Sequence, residues 1–387
     1  MKPLAVYVHI PFCTVKCGYC DFNAYAGLDG VKDAYGSALL TEIDAYRDLL
    51  GGREVTSIHF GGGTPSEVPA SQIAAVIERV RRYGVLASDA EVGLEANPGT
   101  TTHQDLVELR AAGVTRLSLG AQSFHTDELR FLDRIHSPEA TAASLRNARA
   151  AGFESVSLDL IYGLPDQTVE RWAESLNEAI ALGPDHISCY GLTVEDGTPL
   201  ARRVADGSVD TPDADVSADM YELAMDTLAA AGYLQYELSN WARPGHESRH
   251  NRVYWRDGEY LGIGAGAHSY VDGERYENVA HPRDYAAAAA RGDAVLRRYR
   301  LEPAVVMSDW LALRLRLVDG FSEAEFETRF GAKLDDTVGA PLAECAEAGL
   351  LERSAGTVRL TRRGRSLHSE VAVRLLLHLE RAMSAKQ

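Results

Sequence analysis

Three of the five cysteines fall within eight positions: His9-Ile10-Pro11-Phe12-Cys13-Thr14-Val15-Lys16-Cys17-Gly18-Tyr19-Cys20 is a C-x3-C-x2-C run directly after an apolar, strand-like stretch. Thiolates at this spacing can ligate three irons of a cubane, so that the fourth iron has no protein ligand and stays open to an exchangeable one. Lys16 and Gly18 keep the loop polar and flexible enough to wrap a cluster. Two blander explanations stand beside this one. Zinc normally takes a fourth Cys or His at finger-like spacing, and His9 or more distant histidines fit that need poorly. Inert buried thiols are the other alternative.

A second candidate is Ile58-His59-Phe60-Gly61-Gly62-Gly63-Thr64-Pro65, three glycines just past a strand. Without Cβ atoms the backbone can approach a ligand closely, although a tight turn explains glycines equally well when they stand alone.

Elements must hold these groups together. Apolar β-type runs recur at Leu4 to Ile10, Val55 to Phe60, Glu91 to Ala96, Thr115 to Gly120, Ser155 to Leu160 and His186 to Gly191. Between them lie stretches with helical spacing, such as 72–83, 103–112, 141–151, 168–182 and 216–231, an alternation that predicts βα units and a parallel sheet. Gly113, Gly152 and Gly232 stand where helices should end in a left-handed turn. Six units are too few for a closed eight-stranded barrel, which leaves a partial barrel or an open doubly wound sheet. The cysteines, the glycine loop, Glu95 and Asn97, Gln122 and Asp159 all follow or end these strands at their carboxyl edge, where parallel α/β folds place active sites.

The run C-x3-C-x2-C after the first strand resembles the signature of the radical S-adenosylmethionine (SAM) superfamily. Over residues 1 to about 290, and more loosely to the end, the chain is similar to the anaerobic coproporphyrinogen oxidase-like family. That resemblance implies a partial (β/α)6 TIM-like barrel with a C-terminal α+β, winged-helix-like domain. It implies a [4Fe-4S] cluster on Cys13, Cys17 and Cys20, and SAM held by Tyr7, Tyr19, Gly62, Gly63, Thr64, Glu95, Gln122, Arg134 and Asp159. Carboxylates suit the ammonium and ribose hydroxyls of SAM, and Arg134 suits its carboxylate. Taken singly, any of these carboxylates is as well explained by a helix cap or a salt bridge.

Two branches share the scaffold. The decarboxylases of coproporphyrinogen III usually carry a fourth Cys two residues after the third, and an extension before the cluster. Here Asp21-Phe22-Asn23 stands at that place and the cluster starts at residue 13. Both departures resemble the HemW-type haem chaperones, as does His250-Asn251-Arg252-Val253-Tyr254-Trp255, which matches their HNxxYW motif. The resemblance implies haem as a third cofactor, with His250 as iron ligand and Tyr254 and Trp255 as flat apolar surface against the porphyrin. The alternative is a histidine packed among aromatics in a loop or core. Haem delivery implies an acceptor protein. The resemblance also admits an electron donor if SAM is cleaved, peripheral contact with membrane haem proteins, and a homodimer. Oxygen-independent decarboxylation of coproporphyrinogen III is the rival activity. Cys189 and Cys345, in a strand and a helix with apolar neighbours, read as core residues.

Bulk properties agree with a cytoplasmic protein of more than one part. At 387 residues the chain exceeds the roughly 250 to 300 at which single cores stop growing. The expected divisions are a core domain over 1–235, a connecting region over 236–300 covering the barrel mouth, of which 236–285 reads as irregular structure, and a tail over 301–387. The clustered cysteines do not suit a disulfide-stapled secreted chain, and no run approaches the roughly 20 apolar residues of a membrane span. A net charge of -17 disfavours nucleic-acid binding. Over residues 291–387, 16 Lys and Arg against 14 Asp and Glu form no concentrated basic face, so packing or partner docking is expected of the tail instead of DNA recognition.

Overall fold

The apolar runs pair as the alternation requires. The computed structural model describes residues 2–384. Six parallel strands lie side by side in chain order: β1 (Leu4–Ile10), β2 (Glu54–Gly62), β3 (Val85–Ala96), β4 (Arg116–Gln122), β5 (Ser155–Tyr162) and β6 (His186–Gly191). The main helices between and after them are α1 (Lys32–Ala45), α2 (Ala70–Tyr83), α3 (His103–Ala111), α4 (Pro138–Ala150), α5 (Val169–Ala181) and α6 (Ala214–Ala230). Thr102, Ser137, Thr168 and Asp213 cap four of them by accepting from backbone N–H groups in the first turn. Gly113 and Gly152 take the left-handed φ of 106° and 88° that their positions after helices predict.

Along the inner strands, polar and small residues alternate with core residues. Gly93, Glu95 and Asn97 share one face; so do Ser118, Gly120 and Gln122, then Ser157 and Asp159, then His186, Ser188 and Tyr190. The intervening residues, among them Leu94, Leu117, Leu119, Val156, Leu158, Leu160 and Ile187, are buried against the helices. Six strands curled about a polar interior make a partial barrel.

Residues 236–300 do not lie over the mouth, contrary to expectation. They extend the sheet to twelve strands. The strands β7 (Leu234–Glu237) and β8 (Asn240–Ala242) pair antiparallel beside β6, while β9 (Glu259–Ile263) runs parallel to β1 and is followed by β10 (His268–Val271), β11 (Glu274–Asn278) and β12 (Val295–Arg300). One hydrophobic core runs from Leu4 to Ala294. Strands this short and rich in Tyr, Gly and His carry too little periodicity to be read locally.

Within that region the helix α7 (Arg249–Trp255) packs under the barrel. Glu91 accepts from Ser248 Oγ and from the N–H groups of Arg249 and His250. Glu91 lies four residues before Glu95 on β3, which places α7 about 13 Å below the carboxyl edge at the usual rise per residue. Then α8 (Pro282–Ala289) packs on α1.

The tail builds a second core on Trp310, Leu311, Phe321, Phe326, Val358 and Leu375. Helices α9 (Pro303–Arg314), α10 (Glu323–Phe330), α11 (Leu334–Glu347, kinked at Val338) and α12 (His368–Ser384) surround a three-stranded sheet of β13 (Phe321–Ser322), β14 (Leu351–Ser354) and β15 (Thr357–Leu360), a winged-helix-like arrangement. It is anchored to the barrel through Leu238, whose N–H donates to Arg316 O at 3.1 Å, and through an Arg316–Glu237 ion pair at 3.0 Å. No helix of the described residues is long and apolar enough to cross a membrane.

Candidate functional site

The loop after β1 and the loop after β2 meet because adjacent parallel strands deliver both to the same edge. Gly63 N–H donates to Ile10 O at 2.8 Å and Thr64 N–H to Phe12 O at 2.7 Å, which locks the glycine loop against the cysteine loop. A Cβ on Gly63 would stand 2.6 Å from Phe12 O, and Gly62 takes a φ of 115°, so side chains are excluded at both positions.

Above these loops opens a cavity of about 380 Å³. Cys13, Cys17 and Cys20 line it, together with Tyr19, Gly62, Gly63, Thr64, Glu95, Gln122, Arg134 and Asp159. Eleven of the residues singled out in the sequence thus converge on one chamber. Tyr7 does not line it: its ring sits beneath the glycine loop, stacked at 6.3 Å on His59, with its hydroxyl 3.0 Å from His9 Nδ1.

A hydrogen-bonded belt joins two of the thiols. Thr64 Oγ1 donates toward Cys13 Sγ at 3.5 Å and accepts from Asn97 Nδ2 at 2.9 Å. Asn97 Oδ1 accepts from Arg134 Nη2 at 2.6 Å, and Arg134 Nη1 points at Cys17 Sγ at 3.5 Å. Arg134 Nη2 also donates to Gly120 O at 2.7 Å, while its Nε is buried without a partner among the described residues. An unsatisfied buried guanidinium N–H leaves a donor for an anionic ligand group. Gln122 carries a φ of 62°, an uncommon backbone state for a side-chain-bearing residue, at a break in the β4–β5 register that re-aims it into the cavity.

Burial sets the electrostatics. It pushes the Cys13 thiol up to about 11 and raises Cys20 as well, so binding of a cationic metal group must drive deprotonation. Asp159 is raised by burial, against the opposing hydrogen bonds from Ser188 and Ser118. Among the described residues no three Cys, His, Asp or Glu side chains gather round a single-ion position. Three thiols spread about one cavity suit separate irons of a cubane, and the glycine cradle and unpaired Arg134 Nε suit an organic ligand beside it.

Reasoning from sequence missed Ser118 and Tyr190 in the lining. Period-two alternation from Gln122 and from Ser188 would have found them. The HNxxYW residues stand elsewhere. His250 is 1% exposed, with Nδ1 2.9 Å from Ser57 Oγ and Nε2 2.9 Å from Tyr254 Oη. Burial lowers its pKa well below the ordinary range, so the ring is neutral. Tyr254 meets His250 and Tyr260 edge-on, and the Arg316 guanidinium lies 4.2 Å over the Trp255 ring. The histidine that the resemblance implies as haem ligand is, in this arrangement, packed among aromatic rings with both nitrogens engaged. Cys189 and Cys345 are buried in the two cores, as expected.

Comparison with known proteins gives the family. Residues 7–179 match the radical SAM superfamily and residues 301–367 the HemN C-terminal domain. The chain is 43% identical over 380 residues to a Mycobacterium tuberculosis protein named heme chaperone HemW, covering 97% of this chain and 95% of the relative. A protein of that name from Escherichia coli is 38% identical, over 94% of this chain and 96% of its own. Among solved structures, coproporphyrinogen III oxidase (HemN) of Escherichia coli, described as a radical SAM enzyme, superposes with a TM-score of 0.84 at 28% identity, over 97% of this chain and 90% of that one. The chain belongs to the radical SAM superfamily and, within it, to the coproporphyrinogen oxidase-like family that contains the HemW-type haem chaperones.

Proposed function

We propose that this protein is a haem chaperone that carries a [4Fe-4S] cluster and SAM, binds haem and passes it to an acceptor protein in the cytoplasm. The observation that carries the reading is the position of Phe22. It lies at the cavity, 62% exposed, where the decarboxylase branch places a fourth cysteine. The full-length similarity to proteins named for haem chaperoning supports the same branch.

Cys13, Cys17 and Cys20 would hold the cluster, and the family's cofactor pair supplies an iron with an exchangeable position to which SAM binds. The chain's own residues do the rest. Glu95 and Asp159 face the cavity with carboxyl groups suited to the ammonium and ribose hydroxyls of SAM. Arg134, with its Nε unpaired, receives the SAM carboxylate; Gly62, Gly63 and Thr64 let the ligand approach the backbone, and Tyr19 and Gln122 close the chamber. Thr64 and Arg134 direct N–H and O–H donors at two of the sulfurs, which stabilises thiolate charge.

Haem would be ligated by His250, flanked by Tyr254 and Trp255. Coordination needs a free and accessible imidazole lone pair, and His250 is 1% exposed, so the ring must first leave its seat between Ser57 and Tyr254. The test is haem titration of anaerobically reconstituted protein. Saturable binding that is lost in His250→Ala supports the reading. No saturable binding, or vinyl product from coproporphyrinogen III with SAM and a reductant, overturns it.

A further inference from the structure

His250 lies about four strand residues below the cavity, yet a single side chain bridges it to Glu95, one of the carboxylates proposed to hold SAM. That side chain is His59. Its ring stacks on His250 at a centroid distance of 5.0 Å and an interplanar angle of 20°, and Tyr7 stands against both rings, 6.3 Å from His59 and 6.4 Å from His250. Its Nε2 stands 3.1 Å from Glu95 Oε1. Its Nδ1 is buried and has no partner among the described residues. One hydrogen bond and the neighbouring rings of His250 and Tyr7 therefore hold His59. Glu95 is in turn held by His59 and by Gly62 N–H, which donates to Oε2 at 3.3 Å.

The two ends of this chain of contacts make opposite demands. With His250 seated, Tyr7, His59 and His250 form a three-ring cluster, and His59 Nε2–H fixes the orientation of the Glu95 carboxylate toward the cavity. With His250 on haem iron, the ring, 1% exposed where it stands, must leave its seat between Ser57 and Tyr254, and His59 loses the ring stacked on it at 5.0 Å and with it the contact that orients it against Glu95. We infer that SAM binding and haem ligation by His250 are antagonistic, coupled through His59, so that SAM entering the cavity drives haem off the protein. The inference rests on the haem reading above. It gives SAM a part in delivery that does not depend on its cleavage. Because a coupling free energy is reciprocal, haem must weaken SAM binding by the same factor that SAM weakens haem binding.

The test uses the full chain, reconstituted anaerobically with iron and sulfide. Haem is titrated by Soret absorbance with and without saturating SAM, and SAM is titrated by the change in the reduced cluster's electron paramagnetic resonance spectrum with and without haem. The expected result is a haem Kd raised roughly fivefold or more by SAM, with an equal factor in the reverse titration. Two variants locate the coupling. His59→Phe keeps a ring in the stack and removes the donor to Glu95, and His59→Gln keeps a donor and removes the ring. In either one that retains the wild-type circular dichroism spectrum, the coupling factor should fall toward one. A haem Kd unchanged or tightened by SAM overturns the inference, as does a coupling factor that persists in a folded His59 variant. Saturable, His250-dependent haem binding with no response to SAM defeats the coupling alone. Absence of such binding defeats the haem reading and the coupling with it.

Discussion

Arg134 places Nη1 3.5 Å from Cys17 Sγ, while its Nη2 is tied to Asn97 and Gly120. One guanidinium thus touches the cysteine loop and the carboxyl edges of β3 and β4, with Nε buried and unpartnered among the described residues. Charge-assisted hydrogen bonds of this kind contribute about 1.5 to 3 kcal/mol. Arg134→Leu should therefore weaken SAM binding roughly tenfold to hundredfold, and Arg134→Lys should recover only part, because an ammonium lacks the planar fork. Titration of SAM against the reduced cluster's magnetic resonance signal measures both. Unaltered affinity in the leucine variant would remove Arg134 from the site.

Replacing Gly63 by Ala sets a methyl group against a backbone oxygen, Phe12 O, which cannot move away as a flexible side chain could. The cysteine and glycine loops should separate. The expected outcome is a loss of about 1 to 3 kcal/mol in stability together with loss of the SAM response, read by urea unfolding and SAM titration. A variant as stable and as responsive as the parent would show that the loops tolerate a wider spacing.

Iron content separates the two classes of cysteine. Cys13→Ser, Cys17→Ser and Cys20→Ser should each fail to retain a [4Fe-4S] cluster after anaerobic reconstitution, by iron and sulfide analysis. Cys189→Ala and Cys345→Ala, both within packed cores, should keep it and lose about 1 to 2 kcal/mol of stability instead.

Glu42 is buried between α1 and the residues around Gly264, where it accepts from Gly264 N–H at 2.8 Å, Asn278 Nδ2 at 2.6 Å and Tyr285 Oη at 2.5 Å. Burial raises its carboxyl from 4.5 to about 7 despite these donors. A folded-state value above the unfolded one means that the contribution to stability is full below pH 4.5 and is lost as pH rises through 7. The span corresponds to something on the order of 3 kcal/mol. Glu42→Gln should flatten the decline in unfolding free energy between pH 5 and pH 8. Denaturant melts at the two pH values check this, and parallel curves for variant and parent would refute the assignment.

Much of the site was legible because it is written locally. Cys13, Cys17 and Cys20 share one loop, Gly62 and Gly63 share another, and adjacent parallel strands must bring such loops to one edge. Alternation along each strand likewise commits Glu95, Gln122 and Asp159 to the barrel interior, because a one-residue slip would bury charge against the helices. What tertiary structure alone decided depends on partners far along the chain. Glu259 to Ile263 becomes a parallel neighbour of β1 across some 250 residues, and no local pattern announces that pairing. The HNxxYW stretch reads either as a haem-ligand set or as a histidine packed among aromatics, and only Ser57, 193 positions away, and Glu91 draw His250 and its helix beneath the barrel. A buried polar group must be satisfied wherever donors and acceptors meet it. Residue type therefore determined which chemistry this chain can perform, and the long-range packing of its strands decided which of those groups face the ligand and which hold one another.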